Sequence, residues 1–190
     1  NESRDYRELS VYREERADIT VLAKGDVGDK PSKDVVEGFD VFRYTTKPLG
    51  EKIPGPINKM ISLFQWASFA RKQHPDIISG HDLLALTIGW LSTFFTRKKP
   101  KLIYDSHEFE IGRNANRSRF LKWLILRWEH FMIRRSALTV VVNDSIADEV
   151  AKLYRLREKP TVVRNIPMGF DINKAECEKV RKRILEKLGV

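Results

Sequence analysis

The chain has 190 residues, enough for one sizeable domain with its own core, and its 42% hydrophobic content is that of a globular protein. A single cysteine, Cys177, excludes an internal disulfide framework, and no Cys/His spacing resembles a zinc site, so a reducing, cytoplasmic setting is the expectation. The formal net charge of +9 directs attention to acidic partners such as anionic lipid headgroups, nucleic acid or phosphorylated ligands, without specifying a reaction.

Tyr6, Leu9 and Tyr12 at helical spacing predict a short first helix, and the β-branched run Ile19 to Ala23 predicts a strand. Gly25 to Val35, rich in Asp and Gly, reads as a loop; Phe39 to Tyr44 alternates and reads as a second strand. Pro48, Gly50, Pro54 and Gly55 keep the chain irregular up to Pro56, which suits the first turn of a helix whose core face would be Ile57, Met60, Ile61, Phe64 and Ala67. Pro75 separates that helix from a strand at Asp76 to Ser79. Asp82 can cap the next helix, Leu83 to about Thr96, which is apolar nearly all round and therefore predicted to be buried.

The run Lys101 to Asp105 is an apolar strand that ends in Asp105, His107 and Glu108, three ionisable groups that either line a cleft or belong to a polar loop. After a polar loop from Gly112 to Arg117, the spacing predicts a long helix from Arg119 to about Arg135, with Leu121, Leu124, Ile125, Trp128 and Met132 on the core face. Its other side carries Arg119, Lys122, Arg127, Arg134 and Arg135 against Glu129 alone, with Trp123 and Leu126 partly among them. Such a face either rests on anionic lipid or is solvated. Leu138 to Val142 is a buried strand, Asp144 or Ser145 can cap a helix from Ile146 to Tyr154, Pro160 to Val163 is the last strand, and a final helix opens at Asn173.

Alternation of strand and helix predicts an α/β fold: a Rossmann-like, doubly wound, mainly parallel sheet with helices on both faces. The chain enters through a helix where such sheets open with a strand, so the first strand is expected to be missing and the chain to be an excised piece. With no signal peptide and no apolar run long enough to cross a bilayer, a cytoplasmic protein is expected, peripheral at most to the membrane. Four polar clusters end predicted strands: His81 and Asp82; Asp105, His107 and Glu108; Asn143, Asp144 and Ser145; Arg164 and Asn165. In a parallel sheet those ends share one edge, where carboxylate, imidazole, amide and guanidinium groups suit a polyol and a nearby phosphate. Helix capping is the competing role for Asp82, Asp144 and Ser145. His74 and His130 are expected at exposed helical positions with no specific role, and the four histidines form no metal cluster.

The segments Tyr104-Asp-Ser-His-Glu108, Leu138-Thr-Val-Val-Val-Asn-Asp-Ser145 and Val162-Val-Arg-Asn-Ile-Pro167 resemble, in order, the N-terminal half of GT-B retaining glycosyltransferases of the family 4 type. Asp5-Tyr-Arg7 is similar to the Asp-x-Arg after that family's first strand, and Ser79-Gly-His-Asp82 to its strand-end His-Asp element; Glu8 stands where an apolar residue is expected. The resemblance implies an acceptor-side Rossmann-like domain over residues 1–170, with 171–190 leading to a donor-binding domain, and a metal-independent transfer from a nucleotide-diphosphate sugar to a glycan or lipid-linked acceptor. It implies His107 at the reaction centre, Asp105, Glu108, His81 and Asp82 shaping the acceptor pocket, Asp5 and Arg7 near it, and Asn143, Arg164 and Asn165 along the cleft. Without the donor domain the chain is expected to be inactive and prone to self-association. A non-catalytic basic module for anionic membrane or nucleic acid, or an unrelated nucleotide-binding α/β domain, are the competing readings, although no nucleic-acid motif, P-loop or Gly-x-Gly-x-x-Gly is found.

Overall fold

A computed structural model of the chain describes residues 3–25, 32–45, 47–50, 52–106, 118–164 and 181, with the side chains of the first helix described from Glu8 onward. The elements run α1 (Ser3–Glu14), β1 (Thr20–Lys24), β2 (Lys33–Val36), β3 (Phe39–Tyr44), α2 (Gly55–Lys72), β4 (Ile77–Gly80), α3 (Leu83–Ser92), β5 (Lys101–Ser106), α4 (Arg119–Ile133), β6 (Leu138–Val141), α5 (Asp144–Tyr154) and β7 (Thr161–Val162). The α/β class and the mainly parallel pairing stand as read from the sequence. The final helix from Asn173 lies outside the described residues apart from Arg181, which is helical.

The strands pair as two sheets rather than one: β1-β3-β2, and the all-parallel β4-β5-β6-β7. These orders correspond to the two halves of a doubly wound topology, apart from β2. β2 corrects the loop expected from Gly25 to Val35: its Lys33–Val36 turn back through Glu37 and Gly38 to pair antiparallel with β3. Glu37 and Gly38 both have positive φ, the backbone that a two-residue hairpin turn needs. Little apolar periodicity marks this segment because all four strand residues remain at least partly exposed.

Helices cover both faces. Along β3, where successive side chains alternate sides, the Arg13 guanidinium of α1 lies over the Phe39 ring at 5.0 Å, whereas Phe42 and Tyr44 meet Phe69 and Trp66 of α2. The face that carries α2 holds a row of helices. Trp66 and Ala67 of α2 pack with Ile88 of α3, and Leu83 and Leu86 of α3 share a core with Leu102, Tyr104, Met132, Ile133, Val150 and Tyr154 from β5, α4 and α5. Gly89 allows α3 to sit close on the sheet: a Cβ there would lie 2.9 Å from the Ile78 side chain. As expected, α3 is buried against sheet and neighbours, though it ends at Ser92, short of Thr96.

Two helices present a different face from the one the apolar spacing suggested. In α2, Ile57, Met60 and Phe64 are exposed, and the buried ridge is Asn58, Ser62, Trp66 and Ala70, with Ala67 beside it. The reason is the irregular segment before it. Asn58 accepts from the Leu49 amide and donates to the carbonyls of Gly50 and Ile53, while the Ser62 hydroxyl donates to the Thr45 carbonyl. Buried backbone groups must be satisfied, and that need outweighs covering three apolar side chains. In α4, Leu121 and Leu124 are exposed rather than core, Ile125 and Trp128 pack partly, and Met132 is fully buried as expected. Glu129, the one acidic group set against the basic side of the helix, is buried; it accepts from the Tyr104 hydroxyl at 2.9 Å and the Tyr154 hydroxyl at 2.5 Å.

His130 is likewise not an exposed residue. Its ring stacks on Tyr154 at 5.5 Å, its Nε2 is buried, and burial first, then Arg134 and Arg127, pushes its pKa below the ordinary imidazole value. His74 is exposed but sits in the turn after α2 with a positive φ.

Candidate functional site at the carboxyl edge of the parallel sheet

Because β4 to β7 are parallel, their C-terminal ends open on one side, in the spatial order Gly80, Ser106, Val141, Val162. Adjacent strands are spaced by about 4.8 Å, so the groups that follow these ends are spread over roughly 14 Å. The first turn is held tight by Gly80, where a Cβ would come 2.6 Å from the Leu86 amide nitrogen. That close approach lets α3 begin directly, with the Asp82 carboxylate accepting from the Ala85 amide at 2.6 Å. Asp82 is therefore a cap, and its carboxylate is partly committed to the helix.

His81, just before it, turns to the neighbouring strand: its Nδ1 lies 3.7 Å from Oδ2 of Asp105, whose side chain is buried. On β5 the pleat divides the polar work. Leu102 and Tyr104 enter the helical core, while Asp105 faces the opposite side, where α1 lies. There it meets Glu8. One ligand atom from each of Glu8, His81 and Asp105 lies within 4.8 Å of the others, and the Tyr12 hydroxyl donates to Glu8 Oε1 at 2.8 Å. Burial, the hydrogen bond to Glu8 and the negative charges of Glu8 and Asp105 push the Tyr12 hydroxyl up to about 12. Among the described residues these three are the set that could hold a cation, since two carboxylates and one imidazole are hard and borderline ligands respectively. The same groups can also receive the hydroxyls of a polyol.

Two strands further on, Asn143 rather than Asp144 or Ser145 caps α5, accepting from the Ile146 amide at 2.8 Å. Asp144 instead pairs with Arg164, Nη2 to Oδ2 2.7 Å, and that hydrogen bond holds its carboxyl below the ordinary range. Both partners are exposed, so the guanidinium stands at the sheet edge. The structure thus brings His81 to Asp105 and Arg164 to Asp144, and it adds Glu8 and Tyr12, which sequence reasoning did not assign to the site. Their signal was weak but present: an acidic residue where an apolar one was expected, four residues before a tyrosine on the same helical face. Asp5 and Arg7 lie in α1 upstream of Glu8, while His107, Glu108 and Asn165 lie outside the described residues.

A parallel α/β domain with carboxylates, an imidazole and a guanidinium along the carboxyl edge of its sheet defines the class: a Rossmann-like domain. The profile of Glycosyltransferase Family 4 matches residues 7–174, and the chain belongs to that family. No curated protein matches the chain closely. Its function is accordingly of the glycosyltransferase type. Among the described residues no helix is long and apolar enough to cross a membrane.

Proposed function

We propose that the protein transfers a sugar from a nucleotide-diphosphate donor to a hydroxyl of a glycan or lipid-linked acceptor, with retention of configuration, and that residues 1–170 form its acceptor-side domain. The observation that carries this reading is the grouping of Glu8, His81 and Asp105 at the ligand edge of a Family 4 domain. Carboxylates accept from neighbouring hydroxyls of a sugar ring, and an imidazole between them can donate to a third oxygen or share its proton. In this reading the three groups hold hydroxyls, not a metal. Arg164, at the far end of the edge, is the group for a phosphate oxygen. His107, immediately after Ser106 at the end of β5, is the imidazole beside the transferring sugar, with Glu108 in the acceptor pocket and Asn165 along the cleft.

The donor is held by a second domain that residues 171–190 lead into, so the chain by itself should neither bind a nucleotide sugar tightly nor turn over. Transfer needs both reactants fixed at near-contact distance, and losing that positioning forfeits an effective molarity on the order of 10⁵ M. The test uses the full-length protein and follows release of nucleoside diphosphate. His107→Ala should lower turnover about 10²- to 10⁴-fold, as removal of a positioned proton-transfer group does, with an unchanged circular-dichroism melt. Excess chelator should leave the rate unchanged. Normal turnover of the variant returns His107 to the loop, and a chelator-sensitive rate makes Glu8, His81 and Asp105 a metal site.

A further inference from the structure

The exposed apolar residues of α2 and α4 belong to one surface. α2, α3 and α4 lie side by side on the same face of the fold, and each begins at the carboxyl side of the sheet. Their N-terminal halves therefore share one level. Met60 of α2, Leu84 of α3, and Phe120 and Trp123 of α4 lie there, with Phe64 just past the midpoint of α2, and all five are between 49% and 68% exposed. Large apolar side chains exposed together on adjoining helices are the kind of patch that marks an interaction surface.

The charge of these helices is as uneven as their polarity. They hold six Lys and Arg residues but, of the chain's 26 acidic residues, only Glu129, which is buried against two tyrosine hydroxyls. Lys59 stands beside Met60, Lys122 beside Trp123, and the Arg127 guanidinium lies 6.0 Å from the Trp123 ring centre. The next helix in the row marks the boundary: α5 carries Asp144, Asp148 and Glu149. Aromatic and aliphatic side chains flanked by cations, on helices whose one acidic residue is the buried Glu129, match the headgroup layer of an anionic bilayer. Trp spans its polar and apolar zones while Lys and Arg meet phosphate.

We infer that the N-terminal halves of α2, α3 and α4 form one docking surface for anionic lipid, with the protein lying on the membrane and not crossing it. The surface is wider than the single basic helix that the sequence suggests, because the α2 stripe reaches solvent only after Asn58 and Ser62 have taken the buried side. Docking does not depend on the proposed reaction. The helix N-termini flank the edge that holds His81 and Asp105, so docking would bring that edge near the headgroups.

The test is flotation of the protein with phosphatidylcholine vesicles, with or without phosphatidylglycerol, at low and at high salt. Binding should require the anionic lipid, weaken as salt screens it, and shift the tryptophan emission to the blue, a shift that Trp123→Phe reduces. Lys122→Gln with Arg127→Gln should weaken partition about fivefold for each charge removed. Met60→Gln with Phe64→Gln should weaken it at least tenfold, and the thermal melt should be unchanged in both because the residues are exposed. Equal recovery with neutral vesicles overturns the inference, as does a full effect of the α4 variant with none from α2. Concentration-dependent dimerisation abolished by Phe64→Gln, without vesicle binding, overturns it in favour of a second copy.

Discussion

Residues 104 and 105 are neighbours on β5, yet they serve two polar clusters with opposite designs. Tyr104 points into the helical core, where Glu129 receives its hydroxyl and that of Tyr154, and both hydrogen bonds are buried. Asp105 points to the other face and meets His81 and Glu8, both of them partly open to solvent. The first cluster is closed. Its buried carboxyl accepts from two hydroxyl donors inside the core, which ties β5, α4 and α5 together. The second cluster gathers two carboxylates and one imidazole within 4.8 Å of one another, with Glu8 and His81 partly open to solvent. Burial of polar groups is common to both; access to solvent distinguishes them.

Truncating the closed cluster should have the largest effect. Glu129→Ala removes two buried hydrogen bonds from tyrosine hydroxyls and opens a void, and it should lower the unfolding free energy by about 3–5 kcal/mol in urea denaturation. If it instead costs no more than a surface substitution, Glu129 is not the post that holds β5 to the helices. Gly80→Ala tests the link between packing and site: a Cβ 2.6 Å from backbone must push α3 away from β4, at a cost of about 1–3 kcal/mol, and must carry His81 away from Asp105. A chemical-shift map should show the disturbance at both His81 and Asp105, and an undisturbed Asp105 would mean that the strand end yields locally.

The smallest change should come from Glu8→Gln in the open cluster, no more than about 1 kcal/mol near neutral pH. Its signature is in the titration of Tyr12. With the folded hydroxyl pushed up to about 12 from an ordinary 10, the folded state favours the protonated form. The stabilisation is fully present below pH 10 and is lost as pH rises from 10 through 12. Tyr12→Phe should therefore flatten the loss of stability across that window, and Glu8→Gln should bring the Tyr12 midpoint down in a tyrosine-ring carbon titration. A Tyr12 midpoint already near 10 would remove Glu8 from the open cluster.

Alternation of apolar runs and helical spacings was enough to read the parallel α/β class, the βα order and the carboxyl edge with His81, Asp105 and Arg164. Those features follow from periodicity and handed crossovers, which are local or nearly so. Which face of a helix is buried was not local. Apolar spacing placed Ile57, Met60, Phe64, Leu121 and Leu124 inside, but a loop needing three hydrogen bonds from Asn58, and two tyrosines needing an acceptor at Glu129, turned α2 and α4 otherwise. The hairpin strand β2 was invisible because it is short and partly exposed throughout. The meeting of Glu8 with His81 and Asp105, separated by more than seventy residues in the chain, was decided by the tertiary structure alone. A sequence reports what each residue prefers; only packing decides which buried polar group finds its partner, because that partner is supplied by another element.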